Sequence, residues 1–347
     1  MKIVITGYNT CAQNSSGGVQ VRVRKIYEHL LKRDDVEVEY FCPMTTKLCD
    51  CDILHIFKLE QEYYNLILCA KKLGIKVVLS SIVTITDGWK LDVKRIFLQH
   101  FLPKNTISVP FQIIDMVDFV IVESFQEKDF IYKHFKKDLR KITVIPNGID
   151  CFHFSGNQIF EKLGDVKEYV LMVGRVDENK NVLNVIKALK GTGIDLVIVG
   201  GGYFEESSYY KHCITVANGD EHIHFLGWID NDDDLLKSAY ANAKVFVLAS
   251  FHETFGMVAL EAGVVGCNIA MTNSLPIHDF HVFDNCWLFD PSDINDIRNK
   301  IISAFNAPLT NDLQKKIINT FSWDKIVNEH VKIYKELVYG NTSENNK

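Results

Sequence analysis

The chain has 347 residues, of which 47% are apolar and 24% charged, the balance of a soluble globular protein. Its length predicts two domains, each large enough for its own core. No apolar run reaches the roughly 18 residues needed to cross a bilayer, and the chain starts directly with a strand-like run. We therefore expect a cytoplasmic protein without a signal peptide.

Charge and cysteine content exclude some classes of function. The net charge is −6, yet residues 1–150 hold 21 Lys and Arg against 18 Asp and Glu, so the remainder carries −9. A mildly basic first half suits an acidic acceptor or an anionic membrane surface, although chance placement of solvated charges explains it equally well. No nucleic-acid-binding stripe is evident. The nine cysteines lack zinc-ligand spacing, so no metal site is expected.

The first half of the chain alternates short β-branched runs with amphipathic segments of helical length. This pattern is typical of a parallel sheet covered by helices. Helical periodicity marks residues 20–32 and 62–73. The predicted strands are residues 2–6, 36–41, 53–57, 76–79, 119–122 and 141–145.

A turn then separates two series of elements. Residues 146–150, Pro-Asn-Gly-Ile-Asp, break the pattern, and a new series begins about twenty residues later. We predict an N-terminal domain of residues 1–150 and a C-terminal domain of residues 151–321. The strands predicted in the second domain are residues 169–173, 196–199, 223–226, 245–248 and 268–271.

The end of the chain predicts one more helix. The run Phe-Ser-Trp-Asp at residues 321–324 looks like an N-cap, and the following helix should reach about residue 338. Residues 340–347 are polar, and we expect them to form a disordered tail. The apolar face of this helix comprises Ile326, Val327, Val331, Tyr334 and Leu337.

Two motifs place glycines or cations directly after a predicted strand. Gly17 and Gly18 precede the first helix, where backbone amides can approach a phosphate, but taken alone the segment fits a tight turn without a ligand better. Arg175 and Lys180 follow the strand at residues 169–173, the end of a sheet where open α/β folds bind ligands. They could neutralise a diphosphate, or form a surface ion-pair cluster with the acidic residues at 177–178.

The segment at residues 252–262 carries two acidic residues among apolar ones. We expect its helix to start near Phe255, so that free amides favour an anion. On such a helix Glu261 would lie roughly 12 Å beyond Glu253, which matches the reach from a sugar across a diphosphate to a ribose. Two partly exposed carboxylates are the alternative.

Together these motifs resemble the retaining glycosyltransferases of family 4. The shared features are Gly17-Gly18, the hinge at residues 145–150, Arg175 with Lys180, and Glu253 followed eight residues later by Glu261. The resemblance implies an α/β GT-B fold of two Rossmann-like, doubly wound domains facing an interdomain cleft. It also implies that residues 1–150 bind the acceptor, residues 151–321 bind the nucleotide sugar, and the terminal helix at 322–339 crosses back onto the N-terminal domain.

The resemblance also implies roles for the matching residues. Arg175 and Lys180 would bind the donor diphosphate, Glu253 the transferred sugar and Glu261 the ribose. The three residues Glu253, Arg175 and Lys180 are thus the candidate catalytic set. The backbone near Trp228 would meet the base, and the amides of Gly18, Phe255, Gly256 and Met257 would line the sugar diphosphate.

One position departs from the family pattern. Many relatives carry a histidine after the fourth strand, where this chain has Ser81. Because the donor phosphate itself can accept the proton in a retaining transfer, the missing histidine need not abolish activity, but the catalytic base is left unassigned. His55 is predicted to be a satisfied core residue.

The predicted activity is therefore metal-independent, retaining transfer of a sugar from a UDP- or GDP-sugar. The acceptor would be a glycan, a lipid-linked molecule or another acceptor, in bacterial surface polysaccharide or glycoconjugate biosynthesis, with no cofactor and no nucleic acid. Residues 89–98 mix basic and apolar residues, which suits peripheral association with the inner face of the membrane, or an ordinary packed helix. The alternative is a catalytically silent GT-B subunit that supports a partner glycosyltransferase. A dehydrogenase lacks its fingerprint, and a sugar-nucleotide epimerase fits less well.

Overall fold

The chain folds into two compact units. The computed structural model describes residues 1–7, 18–83, 109–150, 156–201, 207–231 and 233–340. Unit 1 consists of Met1–Gly148 and Trp323–Lys347, and unit 2 of Ile149–Ser322. Each unit is built on one six-stranded parallel sheet. The first crossing between the units lies within the Pro-Asn-Gly turn at residues 146–150.

The sheet of unit 1 has the strand order β2-β1-β3-β4-β5-β6. All six strands predicted for this half of the chain are confirmed, with ends that differ by at most one residue. Their apolar runs form strands because both faces of a parallel sheet are covered by helices. In chain order these strands are β1 Lys2–Thr6, β2 Glu37–Tyr40, β3 Ile53–Phe57, β4 Lys76–Ser80, β5 Phe119–Val122 and β6 Ile142–Val144.

Four α-helices lie between these strands in the described part of unit 1. The two predicted by periodicity are confirmed, and a one-turn helix at Gln61–Tyr63 precedes the second. Alternate strand residues point to opposite faces of the sheet. Accordingly Ile3 and Ile5 belong to one apolar cluster, and Val4 to the other. In chain order the helices are α1 Gly18–Leu31, α2 Tyr64–Lys72, α3 Val109–Met116 and α4 Phe125–Phe130.

Unit 2 has the strand order β12-β11-β10-β7-β8-β9. Numbered within the unit this is 6-5-4-1-2-3, the Rossmann order, in which the chain reverses direction across the sheet between β7 and β10. Five strands were predicted; β12 has only three residues, too few for periodicity to reveal. The strands are β7 Tyr169–Val173, β8 Asp195–Val199, β9 Ile223–Gly227, β10 Val245–Leu248, β11 Asn268–Thr272 and β12 Trp287–Phe289.

Helices cover both faces of this sheet, and their apolar residues form two large buried clusters. Side-chain caps begin several of them: Asp293 accepts two backbone N–H bonds at the start of one helix. The helices of unit 2 are α5 Gln158–Leu163, α6 Val182–Leu189, α7 Ser208–Ala217, α8 Asp234–Asn242, α9 Met257–Val264, α10 Ile294–Asn306 and α11 Asp312–Phe321.

The last helix, α12 Trp323–Tyr339, returns to unit 1. Its predicted apolar face is confirmed: four of the five residues are buried against the sheet and α1, and Leu337 is partly buried there. Trp323 lies at the start of the helix, and its ring packs on Gly148. It occupies the space that a side chain at position 148 would need. No helix among the described residues is long and apolar enough to cross a membrane.

Candidate functional site

The loops after β7 and β10 lie side by side in unit 2. The two strands are direct neighbours, with Val245 paired to Val170. Ligands of open α/β sheets bind at the carboxyl ends of the strands, where the strand order reverses, and in this unit that place is between β7 and β10. The loop after β7 carries Arg175 and Lys180, and the loop after β10 carries Glu253. The topology therefore brings the predicted catalytic residues to one edge of one sheet.

Asn179 ties these two loops together. Its side-chain amide donates to the carbonyl of His252 over 2.9 Å, and its side-chain oxygen accepts from the His252 amide at 3.1 Å. The amide of Phe251 also donates to the Asn179 carbonyl at 2.9 Å. Three hydrogen bonds thus hold the two loops in register. The sequence analysis missed this role, because nothing local in the sequence shows that residue 179 faces residue 252.

Lys180 and Glu253 form an ion pair inside the site. Nζ of Lys180 lies 2.5 Å from Oε1 of Glu253, and the two side chains are only 16% and 13% exposed. Ser250, fully buried, donates from Oγ to the same carboxylate oxygen over 2.7 Å. The ammonium has three donors, so it can keep Glu253 and also contact an anionic ligand. Ser250 was not predicted, since an isolated serine after a strand carries no distinctive signal.

Arg175 lies at the open side of the same loop. Its side chain is 45% exposed, and its guanidinium pairs with Asp177 at 3.2 Å. The predicted alternative of a surface ion pair is thus also present in the structure. An exposed pair of this kind contributes little free energy, so a phosphate could compete for the guanidinium at small cost. The same Asp177 accepts from the Lys180 amide at 2.9 Å and shapes the loop.

Glycines keep the neighbouring loops close to one another. Gly174 and Gly200, which follow β7 and β8, both have positive φ, 145° and 137°. A Cβ atom on Gly200 would overlap the carbonyl of Gly174, so only glycine fits there. The Gly200 amide in turn donates to the carbonyl of Gly227 at 2.7 Å. The ends of β7, β8 and β9 therefore form one continuous backbone surface.

Helix α9 begins at Met257, two residues later than predicted. Gly256 precedes it with φ of 98°, a left-handed conformation, and caps it without a side-chain hydrogen bond. Phe255 is buried, and the centroid of its ring lies 5.8 Å from the ring centroids of Phe280 and of Phe321, in edge-to-face arrangements. This aromatic anchor and the left-handed glycine delay the helix. The first amides of α9 remain at the carboxyl edge of the sheet, where a helix N-terminus favours an anion.

The expectation that Glu253 and Glu261 share one helix is wrong. Glu253 lies in the loop before α9, so the 12 Å helical separation does not apply. Glu261 lies in α9, and its Oε2 accepts a hydrogen bond from the hydroxyl of Tyr240 over 2.8 Å. Burial raises the pKa of Glu261, and the bond from Tyr240 acts in the opposite direction. Tyr240 was not predicted, because it comes from α8, twenty-one residues earlier.

The remaining predicted residues have separate places. Trp228 follows the edge strand β9; its ring is 56% exposed, and Nε1 donates to Asp230 at 3.0 Å. Gly18 is the exposed first residue of α1 in unit 1, whereas the other described candidates lie in unit 2. Gly17 and residues 89–98 fall outside the described part of the chain.

Unit 1 contains Ser81, which stands at the position of the histidine of many relatives, and the predicted core residue His55. Ser81 is fully buried after β4 and donates to Oε1 of Glu127 over 2.6 Å. His55 is a satisfied core residue, as predicted: its ring nitrogens contact Ser80 Oγ at 3.0 Å and Tyr334 OH at 2.6 Å. Burial lowers its pKa well below the ordinary range. Within the described residues, no group of three or more His, Cys, Asp or Glu could hold a metal ion.

Comparison with known proteins agrees with this geometry. Residues 157–320, nearly all of unit 2, match the family model of the glycosyl transferases group 1. The matched residues, slightly less than half of the chain, are similar to this family. An uncharacterised glycosyltransferase of Methanocaldococcus jannaschii is 28% identical over 236 residues, which cover 62% of this chain and 59% of that relative.

A second relative is the UDP-Gal:alpha-D-GlcNAc-diphosphoundecaprenol alpha-1,3-galactosyltransferase of Escherichia coli. It is 29% identical over 239 residues, or 61% of this chain and 59% of that protein. The chain thus spans about 59% of the length of both curated relatives.

Solved structures establish the fold. A glycosyltransferase from Rickettsia africae and the Anabaena HepE protein in complex with UDP both superpose with a TM-score of 0.72 at 16% identity. Each superposition covers 97% of this chain, and 98% and 100% of the respective structures. The predicted α/β GT-B fold, with two Rossmann-like units, is confirmed.

Proposed function

We propose that this chain is a retaining, metal-independent glycosyltransferase that uses a nucleotide-sugar donor bound by unit 2. The observation that carries the proposal is the Lys180–Glu253 ion pair at the point where the strand order of unit 2 reverses. A cation and a carboxylate side by side suit a ligand that has both a diphosphate and sugar hydroxyls.

The donor diphosphate would lie between Arg175, Lys180 and the N-terminus of α9. Two cations and a helix N-terminus can neutralise the charge that develops on a nucleoside diphosphate as it leaves. The backbone amides of Gly256 and Met257 belong to that helix start, and Phe255 fixes their position through its buried ring. We also assign Gly17 and Gly18 to the donor, as the resemblance implies.

The two carboxylates would bind hydroxyl groups. Glu253, held by Ser250 and Lys180, is assigned to the transferred sugar. Glu261, held by Tyr240, is assigned to the ribose. Trp228 directly follows β9, two strands from β7, which at about 4.8 Å per strand is roughly 10 Å away. That distance suits a base at the far end of the nucleotide.

In the proposed reaction the bond between the sugar and the diphosphate breaks, and the acceptor oxygen forms the new bond on the same face. The acceptor proton passes to a phosphate oxygen of the leaving group, so no side-chain base is required. Arg175 and Lys180 stabilise the departing diphosphate, and Glu253 orients the sugar. Ser81 is therefore not assigned as a base.

The names of the relatives support the choice of substrates. The Escherichia coli relative is named for a UDP-galactose donor and a diphosphoundecaprenol-linked acceptor. The Anabaena neighbour has been solved with UDP-glucose. We propose a UDP-sugar as donor, with a GDP-sugar as the alternative, and a glycan or lipid-linked acceptor bound by unit 1. A lipid-linked acceptor implies peripheral association with the inner face of the membrane and a role in surface polysaccharide or glycoconjugate synthesis.

Calorimetry with UDP and GDP, together with nucleoside diphosphate release from a panel of sugar nucleotides, tests this proposal. Lys180→Ala and Glu261→Ala should each weaken binding of the nucleotide about 10-fold or more. Lys237→Ala, which removes an exposed lysine paired to Asp234 on α8, is the matched control and should bind normally. The configuration of the product, read by NMR, tests retention. Absence of both binding and turnover would favour the silent subunit.

A further inference from the structure

A strained turn ends strand β4 in unit 1. Ile82 has φ of 46°, a left-handed conformation that is unusual for a β-branched residue. At the end of the neighbouring β3, Lys58 also has a positive φ of 72°. The two strand ends are joined: the amide of Lys58 donates to Ser80 O at 2.7 Å and that of Leu59 to Ser81 O at 3.0 Å. Such strain persists only where the surroundings impose it, and it concentrates at functional sites.

Glu127 imposes this conformation from beneath the turn. Its Oε1 accepts from the Ser81 hydroxyl at 2.6 Å and from the Val83 amide at 2.8 Å. Its Oε2 accepts from the Glu123 amide at 2.7 Å. Glu127 is 4% exposed, whereas Ile82 and Val83 are only partly buried. The carboxylate therefore lies inside the protein, while the turn that it holds faces outward at the carboxyl edge of the sheet.

Glu127 follows a helix cap but does not use it in the ordinary way. Ser124 caps α4 by accepting from the Glu127 amide at 3.1 Å. In the common capping box, the acidic side chain three residues on returns to the N–H of the cap residue itself. Here it binds one residue earlier, at Glu123 N, and reaches across to the β4 turn. Helix capping alone does not require these contacts.

The charges around Glu127 come from two neighbouring elements. The carboxylate of Glu123, after β5, is bound by the buried guanidinium of Arg22 from α1 and by Asn147 Nδ2 at 3.1 Å. The β4 turn contributes no titratable group among Ser81, Ile82 and Val83. Burial and, second, the charge of Glu123 raise the pKa of Glu127 to about 7. Among the described residues, no cation pairs with Glu127.

We propose that Glu127 is a positioning residue, whose ionised carboxylate holds residues 81–83 in the shape that binds a hydroxyl group of the acceptor glycan. This inference rests on the proposed function and deepens it on the acceptor side. The carboxyl edge of a parallel sheet is where ligands bind, and the partly exposed backbone of this turn can present amides and carbonyls to a sugar. Glu127 acts through the turn and does not touch the substrate.

The hydrogen-bond pattern gives the sign of the pH dependence. All three partners donate to the carboxylate, so the ionised form satisfies every one of them. The neutral acid carries a proton of its own and accepts more weakly, so the contacts that hold the turn are weakened even if the Ser81 hydroxyl reverses to accept that proton. As the pH falls through about 7, the turn therefore relaxes and acceptor binding weakens.

The test uses the full chain, UDP-galactose and a synthetic undecyl diphosphate-linked N-acetylglucosamine as the acceptor probe. Initial rates are measured from pH 6 to 8.5, and UDP binding is measured separately by calorimetry. The variants are Glu127→Gln, Glu127→Asp and Ser81→Ala. Asp129→Asn is the matched control, since it removes an exposed carboxylate from the same helix.

Glu127→Gln should lower kcat/KM for the probe about 10-fold at pH 8 and remove its fall near pH 7. Glu127→Asp should restore part of the rate and the pH dependence. UDP affinity should change less than about twofold in every variant. A wild-type profile and rate in Glu127→Gln would overturn the inference and leave the proposed function intact. If that variant does not fold, Ser81→Ala decides, because an unchanged kcat/KM there would also overturn it.

Measurements on the wild-type protein distinguish a failure of the proposed function from a failure of the role of Glu127. Failure to bind UDP would count against the proposed donor site. UDP binding without turnover of the probe or of the other donors would remove transfer from this chain, and the role of Glu127 with it.

Discussion

Tyr240 of α8 donates its phenolic hydrogen bond to Glu261 of α9 over 2.8 Å, and so joins two helices behind the proposed ribose position. Tyr240 is 2% exposed. Burial and the charge of Glu261 together raise the pKa of Tyr240 well above its ordinary value, so the hydroxyl remains a donor at any physiological pH. The carboxylate of Glu261 is thereby held in one orientation before any ligand arrives.

Removing this hydrogen bond should weaken nucleotide binding. In Tyr240→Phe the pKa of Glu261 should rise further, because burial then acts with less opposition, and the affinity for UDP should fall about 5- to 10-fold. Calorimetry at pH 7.5 measures this change. Tyr169→Phe is the control, since Tyr169 is equally buried and donates to the Ala239 carbonyl at 2.6 Å. It should lose about 1 kcal/mol of stability and keep its UDP affinity.

Ser250 should matter for transfer more than for binding. Ser250→Ala removes one of the two contacts to Glu253 Oε1, while the ion pair with Lys180 remains. We expect kcat to fall about 5- to 10-fold and the Kd for UDP to change less than about twofold. Ser238→Ala removes another buried hydroxyl of unit 2, one that donates to Gly156 O at 3.1 Å, and should leave kcat unchanged. A matching loss in both variants would contradict the role of Ser250.

Asn181 has a structural role beside Lys180. It is buried, has φ of 60°, and its side-chain amide donates to the Pro291 carbonyl at 2.8 Å. Asn181→Ala should cost about 2 kcal/mol, the sum of a strained left-handed backbone and a lost hydrogen bond. Asn181→Gly should cost only about 1 kcal/mol, since glycine adopts this conformation freely. Urea unfolding of both variants checks the difference, and equal losses would argue against backbone strain.

Two buried histidines make unit 1 sensitive to acid. Burial lowers the pKa of His330 to about 3 and that of His55 well below 6.5. Below pH 6.5 the unfolded chain therefore binds more protons than the folded protein. The two histidines do not lower the free energy of unfolding above pH 6.5, but they lower it as the pH falls further. Over 1.5 pH units His330 should account for about 2 kcal/mol. Glu127 acts with the opposite sign, because its pKa is raised in the folded protein.

A single variant isolates the histidine. His330→Leu should be within about 1 kcal/mol of the wild type at pH 7, because Nε2 of His330 is buried without a partner among the described residues. Between pH 7 and pH 5 the stability of the variant relative to the wild type should rise by about 2 kcal/mol. Guanidinium unfolding at both pH values measures this. The exposed His212→Leu serves as the control, and the same pH response in both variants would refute the assignment.

The strands and the positions of the motifs could be predicted because they depend on local sequence. Runs such as residues 245–248 are continuous and apolar, and each motif follows its strand directly. The start of α9 could not be predicted as reliably, since it depends on the left-handed Gly256 and on the packing of Phe255. The shared-helix interpretation of Glu253 and Glu261 failed because Glu253 precedes even the predicted helix start at Phe255.

The residues that hold and orient the charged groups of the site could not be predicted in this way. Ser250 is only three residues from Glu253, yet a single serine after a strand gives no distinctive signal. Asn179 and Tyr240 act on residues that the fold brings to them from 73 and 21 positions away, and no spacing in the sequence encodes those contacts. The same holds for Glu127, which meets the β4 turn from forty-four residues away. Sequence therefore identifies the charged groups, whereas the groups that orient them emerge only from the topology.

The return of α12 to unit 1 has a consequence for synthesis on the ribosome. Trp323 and the buried face of α12 complete the core of unit 1, yet all of Ile149–Ser322 is translated in between. At about 5–20 residues per second this interval lasts roughly 10–35 s. The beginning and the end of unit 2 are joined by a hydrogen bond from the Ile149 amide to Phe321 O at 2.7 Å. Unit 2 can therefore finish folding while the sheet of unit 1 is not yet covered by α12.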